Sequence, residues 1–157
     1  MNDAEKAKRL IETNVHMTLA TADADGKPWA STLFFAPDKD FNLYWVSAKA
    51  ARHSSNVRAR SQVGIVIFGQ EPPTNSGGVY FDAEAVELES PADIDIAIAA
   101  LHTRPQPDKF TIGSPAEVTG EASWRIYRAA PKEISLRADG VDTSSGQAIT
   151  VRRPVLL

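Results

Sequence analysis

Asp25-Gly26 constrains the fold more than any other pair of residues in this chain. It lies between two runs of strand character, Val15 to Thr21 and Trp29 to Phe35. Glycine accepts the positive φ that a tight hairpin turn demands, and aspartate favours such turns through local hydrogen bonds to the backbone. The two runs are therefore expected to pair antiparallel. A second turn, Pro37-Asp38-Lys39-Asp40, leads into a third strand, Asn42 to Ser47.

The rest of the chain continues this pattern. An amphipathic helix is expected over Asp3 to Thr13, with Ala4, Ala7, Leu10 and Ile11 on one face and lysines and arginines opposite. A short helix is expected over Ala50 to Arg60. The apolar run Val63 to Phe68 reads as a strand buried on both sides, and Val79 to Leu88 as another strand. Between them, Pro72 to Gly78 is a loop. Ser90-Pro91 opens a helix, with serine as cap and proline in the first turn, and Ile94, Ala97, Ile98 and Leu101 form its apolar stripe. Thr103 to Gly113 is irregular. Ala122 to Ala129 and Lys132 to Ala138 read as two more strands, Thr143 to Gly146 as a loop, and Arg152 to Leu157 as a tail. Short antiparallel strands with a few peripheral helices imply an α+β, mainly β fold: a small barrel, in which closure removes exposed strand edges.

Bulk properties narrow the function. The 157 residues fit one domain, 1–157, without repeats or a dividing linker. A net charge of −3 gives no broad basic field, which argues against nucleic acid as a partner. The absence of cysteine excludes disulfides, thiolate metal sites and cysteine nucleophiles. Three histidines, well separated in sequence, offer few zinc ligands. No apolar run approaches a membrane span and the N-terminus is polar, so a cytoplasmic protein without membrane contacts is expected. No Walker-type glycine loop, dinucleotide fingerprint or serine triad context is present. Asp93 and Asp95 suit the start of a helix better than catalysis.

The stretch "MTLATADADGKPWASTLFFAPDKDFNLYWVSAKAARHSSNVRARSQVGIVIF", Met17 to Phe68, carries the strongest functional signal. It resembles the pyridoxamine 5′-phosphate oxidase-like family of split β-barrel flavoproteins. The family pattern is a strand ending Leu-Ala-Thr, an Asp-Gly turn, a strand of small and apolar residues, and an aromatic strand. A hydroxyl residue, a basic segment leading into a helix with an asparagine, and a further strand follow. The later "GVYFDAEAVEL" and "WRIYRAAPKEISL" are similar to the family's next strand and closing strand pair. The resemblance implies an antiparallel Greek-key split barrel and a homodimer with flavin at the subunit interface. FMN is the common cofactor; some relatives bind the deazaflavin F420 and a few bind haem.

The resemblance also implies a site. Ser47 matches the hydroxyl that holds the flavin phosphate, and Arg52 and His53 match the basic pair entering the helix. Lys49 lies where a further basic residue often occurs. The chemistry is apt, because a phosphate monoester carries nearly two charges near pH 7 and a guanidinium can bind it through two parallel hydrogen bonds. A helix N-terminus adds unpaired N–H groups. Ala51 stands where the family often has a second hydroxyl, which removes one phosphate contact. Ser31, Thr32 and Leu33 match the strand along the polar edge of the flavin ring, and Val46 lies beside it. Trp124 and Tyr127 are candidates to cover the ring from the partner subunit, whereas Trp29 and Trp45 are expected to be packing residues. His16 and His102 are expected to be structural or surface residues, and they are also the candidate iron ligands if haem binds.

The resemblance implies a flavin-dependent oxidoreductase acting on a small-molecule substrate that the sequence does not identify. An F420-dependent reductase on the same fold, or a non-enzymatic flavin carrier or sensor, are the alternatives. Pyridoxamine 5′-phosphate itself is not the expected substrate. The tail "ITVRRPVLL" lacks the Arg-x-His pattern of that enzyme, and Ala36 stands near the place of its substrate-binding lysine.

Overall fold

The computed structural model describes residues 1–69, 77–105 and 111–157. Residues 72–76 of the expected loop, and 106–110 of the expected irregular stretch, lie outside the described residues. Helix α1 spans Asp3–Thr13. Strands β1 (His16–Ala22), β2 (Pro28–Phe34), β3 (Ala36–Pro37) and β4 (Leu43–Ala48) follow. Next come α2 (Arg52–Ala59), β5 (Gln62–Phe68), β6 (Gly78–Glu87) and α3 (Pro91–Leu101). A 3-10 turn at Pro115–Val118 precedes β7 (Trp124–Val141) and β8 (Ala148–Pro154).

The hairpin forms as its turn residues require. Gly26 has φ +86°, and the Asp23 carboxylate accepts from the backbone N–H groups of Asp25 (3.0 Å) and Lys27 (2.9 Å). The resulting register pairs His16 with Phe34 and Ala22 with Pro28. At the second turn, Asp38 accepts from the backbone of Asp40 and Asn42 and from the Tyr44 hydroxyl. Helix α1 is held by a capping box that the expected pattern did not include. Asn2 accepts from the Glu5 N–H at 2.9 Å, and the Asn2 N–H donates to the Glu5 carboxylate at 2.8 Å.

Eight strands form one antiparallel sheet in the order β2-β1-β5-β6-β7-β4-β3, with β8 on β7. This is the split-barrel architecture, and the hydrogen-bonded path does not close: β2 and β3 are its ends, and β2 is largely exposed. The main core fills the inside of the curved sheet with Met17, Leu19, Phe35, Trp45, Ile67, Phe81 and Tyr127, and α1 adds Ile11. Full burial of each large apolar side chain contributes about 1.5–3 kcal/mol. A second core lies outside, where the apolar stripe of α3 (Ile94, Ala97, Ile98, Leu101) packs on Tyr44 and Ile126.

Three expectations are corrected. The strand buried on both faces is β4, where Leu43 and Trp45 enter the main core and Tyr44 lies under α3. Strand β5 instead alternates: Val63, Ile65 and Ile67 are buried, while Gly64 and Phe68 are exposed. The two strands expected over 122–138 are one, β7. It runs through Pro131 because a bulge opposite Asp82 and Ala83 leaves Lys132 unpaired, and a bulge tolerates the missing proline N–H. The tail is strand β8, whose Ala148 to Pro154 pairs with Val141 to Ser135 of β7.

Candidate functional site

The turn between β4 and α2 is fixed by polar residues of the opening motif. Ser54, fully buried, donates to the Ala48 carbonyl at 2.8 Å, and the Ala51 N–H donates to the same carbonyl at 3.0 Å. Buried Asn56 donates from Nδ2 to Thr21 Oγ1 at 3.0 Å, tying α2 to β1. Arg58 donates to the Lys49 carbonyl at 2.8 Å. The inward residues of "RHSSNVRA" thus anchor the helix, while Arg52 and Ser55 of its first turn are exposed. Ala51 occupies the N-cap and supplies no side-chain cap, so the first N–H groups of α2 are left for solvent or an anion.

Beside this helix start lies a cavity of about 460 Å³. Thr32, Leu33 and Phe34 of β2 form one wall, and Val46, Ser47 and Ala48 of β4 another. Ala51 and His53 close the helix end, and His16, Leu101 and Trp124 complete the lining. The size falls within the roughly 300–1,000 Å³ usual for small-molecule sites, and a mainly apolar wall with a few polar groups is the usual composition. A larger cavity of about 900 Å³ adjoins it between α1 and β1 and shares His16 and Thr32.

His53 is the polar centre of the smaller cavity. Its Nε2 lies 2.8 Å from Ser47 Oγ and its Nδ1 3.2 Å from Ser31 Oγ. Ser47 is buried at 5% exposure and His53 is half-buried. Burial pushes the His53 pKa below its ordinary value, which favours the neutral ring.

Of the site residues expected from sequence, Thr32, Leu33, Val46, Ser47, His53 and Trp124 come together at this cavity. Ser31 reaches it through His53 rather than through its backbone alone. Lys49 and Arg52 are not among the lining residues. The Arg52 guanidinium turns to the β1–β2 hairpin, 4.6 Å above the Trp29 ring and 3.8 Å from the Asp23 carboxylate. Trp29, expected to be packing, is 42% exposed beneath it. Trp124 lines the cavity within its own chain. Tyr127 is a core residue and not a cover for a ring. It stacks on Trp45 at 5.5 Å, and its hydroxyl donates to Glu87 at 2.9 Å. His102 is bound to the Ile112 carbonyl at 2.8 Å. His16 lines both cavities edge-on to Phe34. Phe34 and Leu101 were missed as lining residues; both carry only the signature of packing in the sequence.

Among the described residues no group of three or more histidine and carboxylate side chains could hold a metal ion, and no helix is long and apolar enough to cross a membrane.

An unclosed antiparallel sheet with peripheral helices and a cavity at a strand-to-helix turn defines the split-barrel class. The family model for pyridoxamine 5′-phosphate oxidase matches residues 4–135, and the chain belongs to that family. Comparison with curated proteins gives no match. Among solved structures, the chain is similar to the haem storage protein HutZ of Vibrio cholerae. That match has a TM-score of 0.66 at 22% identity, over 85% of this chain and 94% of the other. It is also similar to an FAD-binding protein of Mesorhizobium loti, with a TM-score of 0.65 at 20% identity over 86% and 94%. A protein of unknown function from Agrobacterium tumefaciens gives a TM-score of 0.69 at 18% identity. It covers 85% of this chain, which spans 55% of that longer one. Flavin-binding and haem-binding proteins thus share this fold.

Proposed function

We propose that the chain binds FMN in the 460 Å³ cavity as a homodimer and acts as a flavin-dependent oxidoreductase on a small molecule. The observation that carries this reading is the convergence of Thr32 and Leu33, Val46 and Ser47, and His53 on one cavity at an uncapped helix start. The residues fit the group. Apolar Leu33, Val46 and Trp124 suit a flat aromatic ring. Ser47, His53 and the first N–H groups of α2 suit a phosphate. Phe68 on the outward row of β5 and Trp29 on the edge strand β2, both exposed, suit burial against a second copy.

The flavin, when bound, supplies the redox chemistry. The chain's own residues bind and orient. Ser47 offers its hydroxyl to the phosphate, and the strand edge at Ser31 to Leu33 offers backbone groups to the ring. Arg52 and Lys49 bring positive charge, Arg52 by leaving Asp23 and Trp29. Trp124 and Leu101 exclude water from one side. Among the described residues no lining side chain is a carboxylate, so substrate protonation falls to histidine, hydroxyl or water.

Haem is a second reading, favoured by the placement of His16 at the boundary of both cavities. FMN titration followed by flavin fluorescence tests the first. Wild-type protein should saturate at one FMN per chain. Ala51→Phe, which fills the cavity beside the helix start, should bind at least about tenfold more weakly with unchanged thermal unfolding. Equal affinity in the two proteins would reject the placement.

A further inference from the structure

We propose that Ser31, His53 and Ser47 form a proton-linked anion lock: an anionic ligand entering the 460 Å³ cavity takes up a proton at His53, with Ser31 positioning the ring. The inference rests on the cavity accepting a phosphate, as in the reading above.

Both ring nitrogens of His53 meet hydroxyls, Ser31 at 3.2 Å and Ser47 at 2.8 Å. A hydroxyl can donate or accept, so this pair accommodates the neutral ring, with one donor and one acceptor, and the imidazolium, with two donors. The hydroxyls hold the ring in place without selecting its charge. Selection falls to the surrounding field. From β2 the facing side chain is Ser31 and from β4 Ser47, and the lining residues Thr32 of β2 and Trp124 of β7 are likewise uncharged. On its own helix, Arg52 is turned to Asp23 and Trp29. Among the described residues, His16 of β1 is the other titratable side chain lining the cavity, and no carboxylate lines it. Desolvation without a nearby anion keeps the ring neutral, consistent with its lowered pKa.

A phosphate monoester in this cavity supplies the missing negative charge. The His53 pKa then rises, and binding becomes linked to proton uptake. The sign follows: a group whose pKa is higher in the complex strengthens binding while it is charged. The gain is lost as pH rises through the pKa of the complex. Above pH 7 the ligand phosphate is already almost wholly dianionic, because its second pKa is about 6. Any pH dependence there belongs to the protein. From a free value not far below 6.5, a rise of one to two pKa units corresponds to about two- to tenfold weaker binding at pH 9 than at pH 7. Ser31 acts through His53 and is a positioning residue. Without its hydroxyl the ring is free to turn Nε2 away from Ser47.

The test measures the His53 pKa by NMR in the wild-type protein, alone, with saturating FMN, and separately with inorganic phosphate. FMN affinity is measured alongside from pH 7 to pH 9. The expected result is a pKa below 6.5 in the free protein, raised by at least about one unit by either ligand. FMN binding should weaken about two- to tenfold across the range. His53→Gln should bind with a flat profile, Ser31→Ala with a shallower one, and His16→Gln with the wild-type slope. A flat wild-type profile with FMN bound overturns the lock and leaves the flavin reading standing, as does a slope that persists in His53→Gln. Failure of FMN to bind, with phosphate still raising the His53 pKa, overturns the flavin reading and supports the lock. If neither ligand shifts His53, both fall.

Discussion

If the cavity holds FMN as proposed, Asp23 competes with its phosphate for Arg52. The guanidinium sits 3.8 Å from the Asp23 carboxylate, with side-chain exposures of 40% and 32%. Such half-exposed pairs are weak and screened by solvent and salt. Their loss still frees a cation one residue from His53. Asp23→Asn removes the charge and keeps an oxygen for the Asp25 and Lys27 N–H groups, so the turn should survive. The screened pair implies a small gain, with FMN binding about two- to fivefold tighter in Asp23→Asn. In an Arg52→Ala background the same change should have no effect, because Arg52 transmits it. The assay is a double-mutant cycle of FMN dissociation constants at low and high salt, with thermal unfolding as a check on folding. The gain should shrink as salt rises. Unchanged affinity in Asp23→Asn, or the same gain without Arg52, would refute the argument that Arg52 exchanges a carboxylate for a phosphate.

Arg104 donates to the carbonyls of Asn14, Ile11 and Glu12 at the end of α1, and its guanidinium lies 4.7 Å above the Phe35 ring. Arg104→Ala should cost about 2–3 kcal/mol, from charge-assisted hydrogen bonds and the cation–π contact together, lowering Tm by about 4–12 °C. A loss of less than about 1 °C in calorimetry would contradict that capping role. Burial, reinforced by hydrogen bonds to Asp38 and Glu87, pushes the phenols of Tyr44 and Tyr127 up to about 12. A raised phenol pKa holds stability in full below the unfolded value near 10 and loses it as pH climbs from there to about 12. Denaturant unfolding at pH 9, 10.5 and 11.5 should show that decline, and Tyr127→Phe should flatten part of it.

The hairpin and the α3 stripe were legible because each rests on local rules. Asp25-Gly26 dictates its turn, and the spacing of Ile94, Ala97, Ile98 and Leu101 fixes one helix face. Strand β5 was read as buried on both faces, yet it alternates, because continuous apolarity does not say how many faces are covered. In β4 the docking of α3 on Tyr44 covers the second face. Pro131 looked like a break, yet a bulge absorbs it, and bulges depend on the partner strand. Strand β8 escaped because all but one of its residues are exposed, leaving no inside–outside alternation to read. In the candidate site, the family pattern located Thr32, Leu33, Val46, Ser47 and His53 among the cavity-lining residues. It could not reveal that Asp23, nearly thirty residues away in sequence, holds Arg52, or that the Ser31 hydroxyl meets His53. Those are choices among side-chain partners made only once the sheet has formed.

The most direct test is the absorption spectrum of the purified protein, with the released cofactor identified by mass. The account predicts flavin bands, and FMN by mass, either as purified or after incubation with added FMN. A Soret band with no flavin uptake would move the chain to the haem-binding side of its fold. A colourless protein that takes up neither FMN, F420 nor haem would contradict the claim that this cavity holds a cofactor.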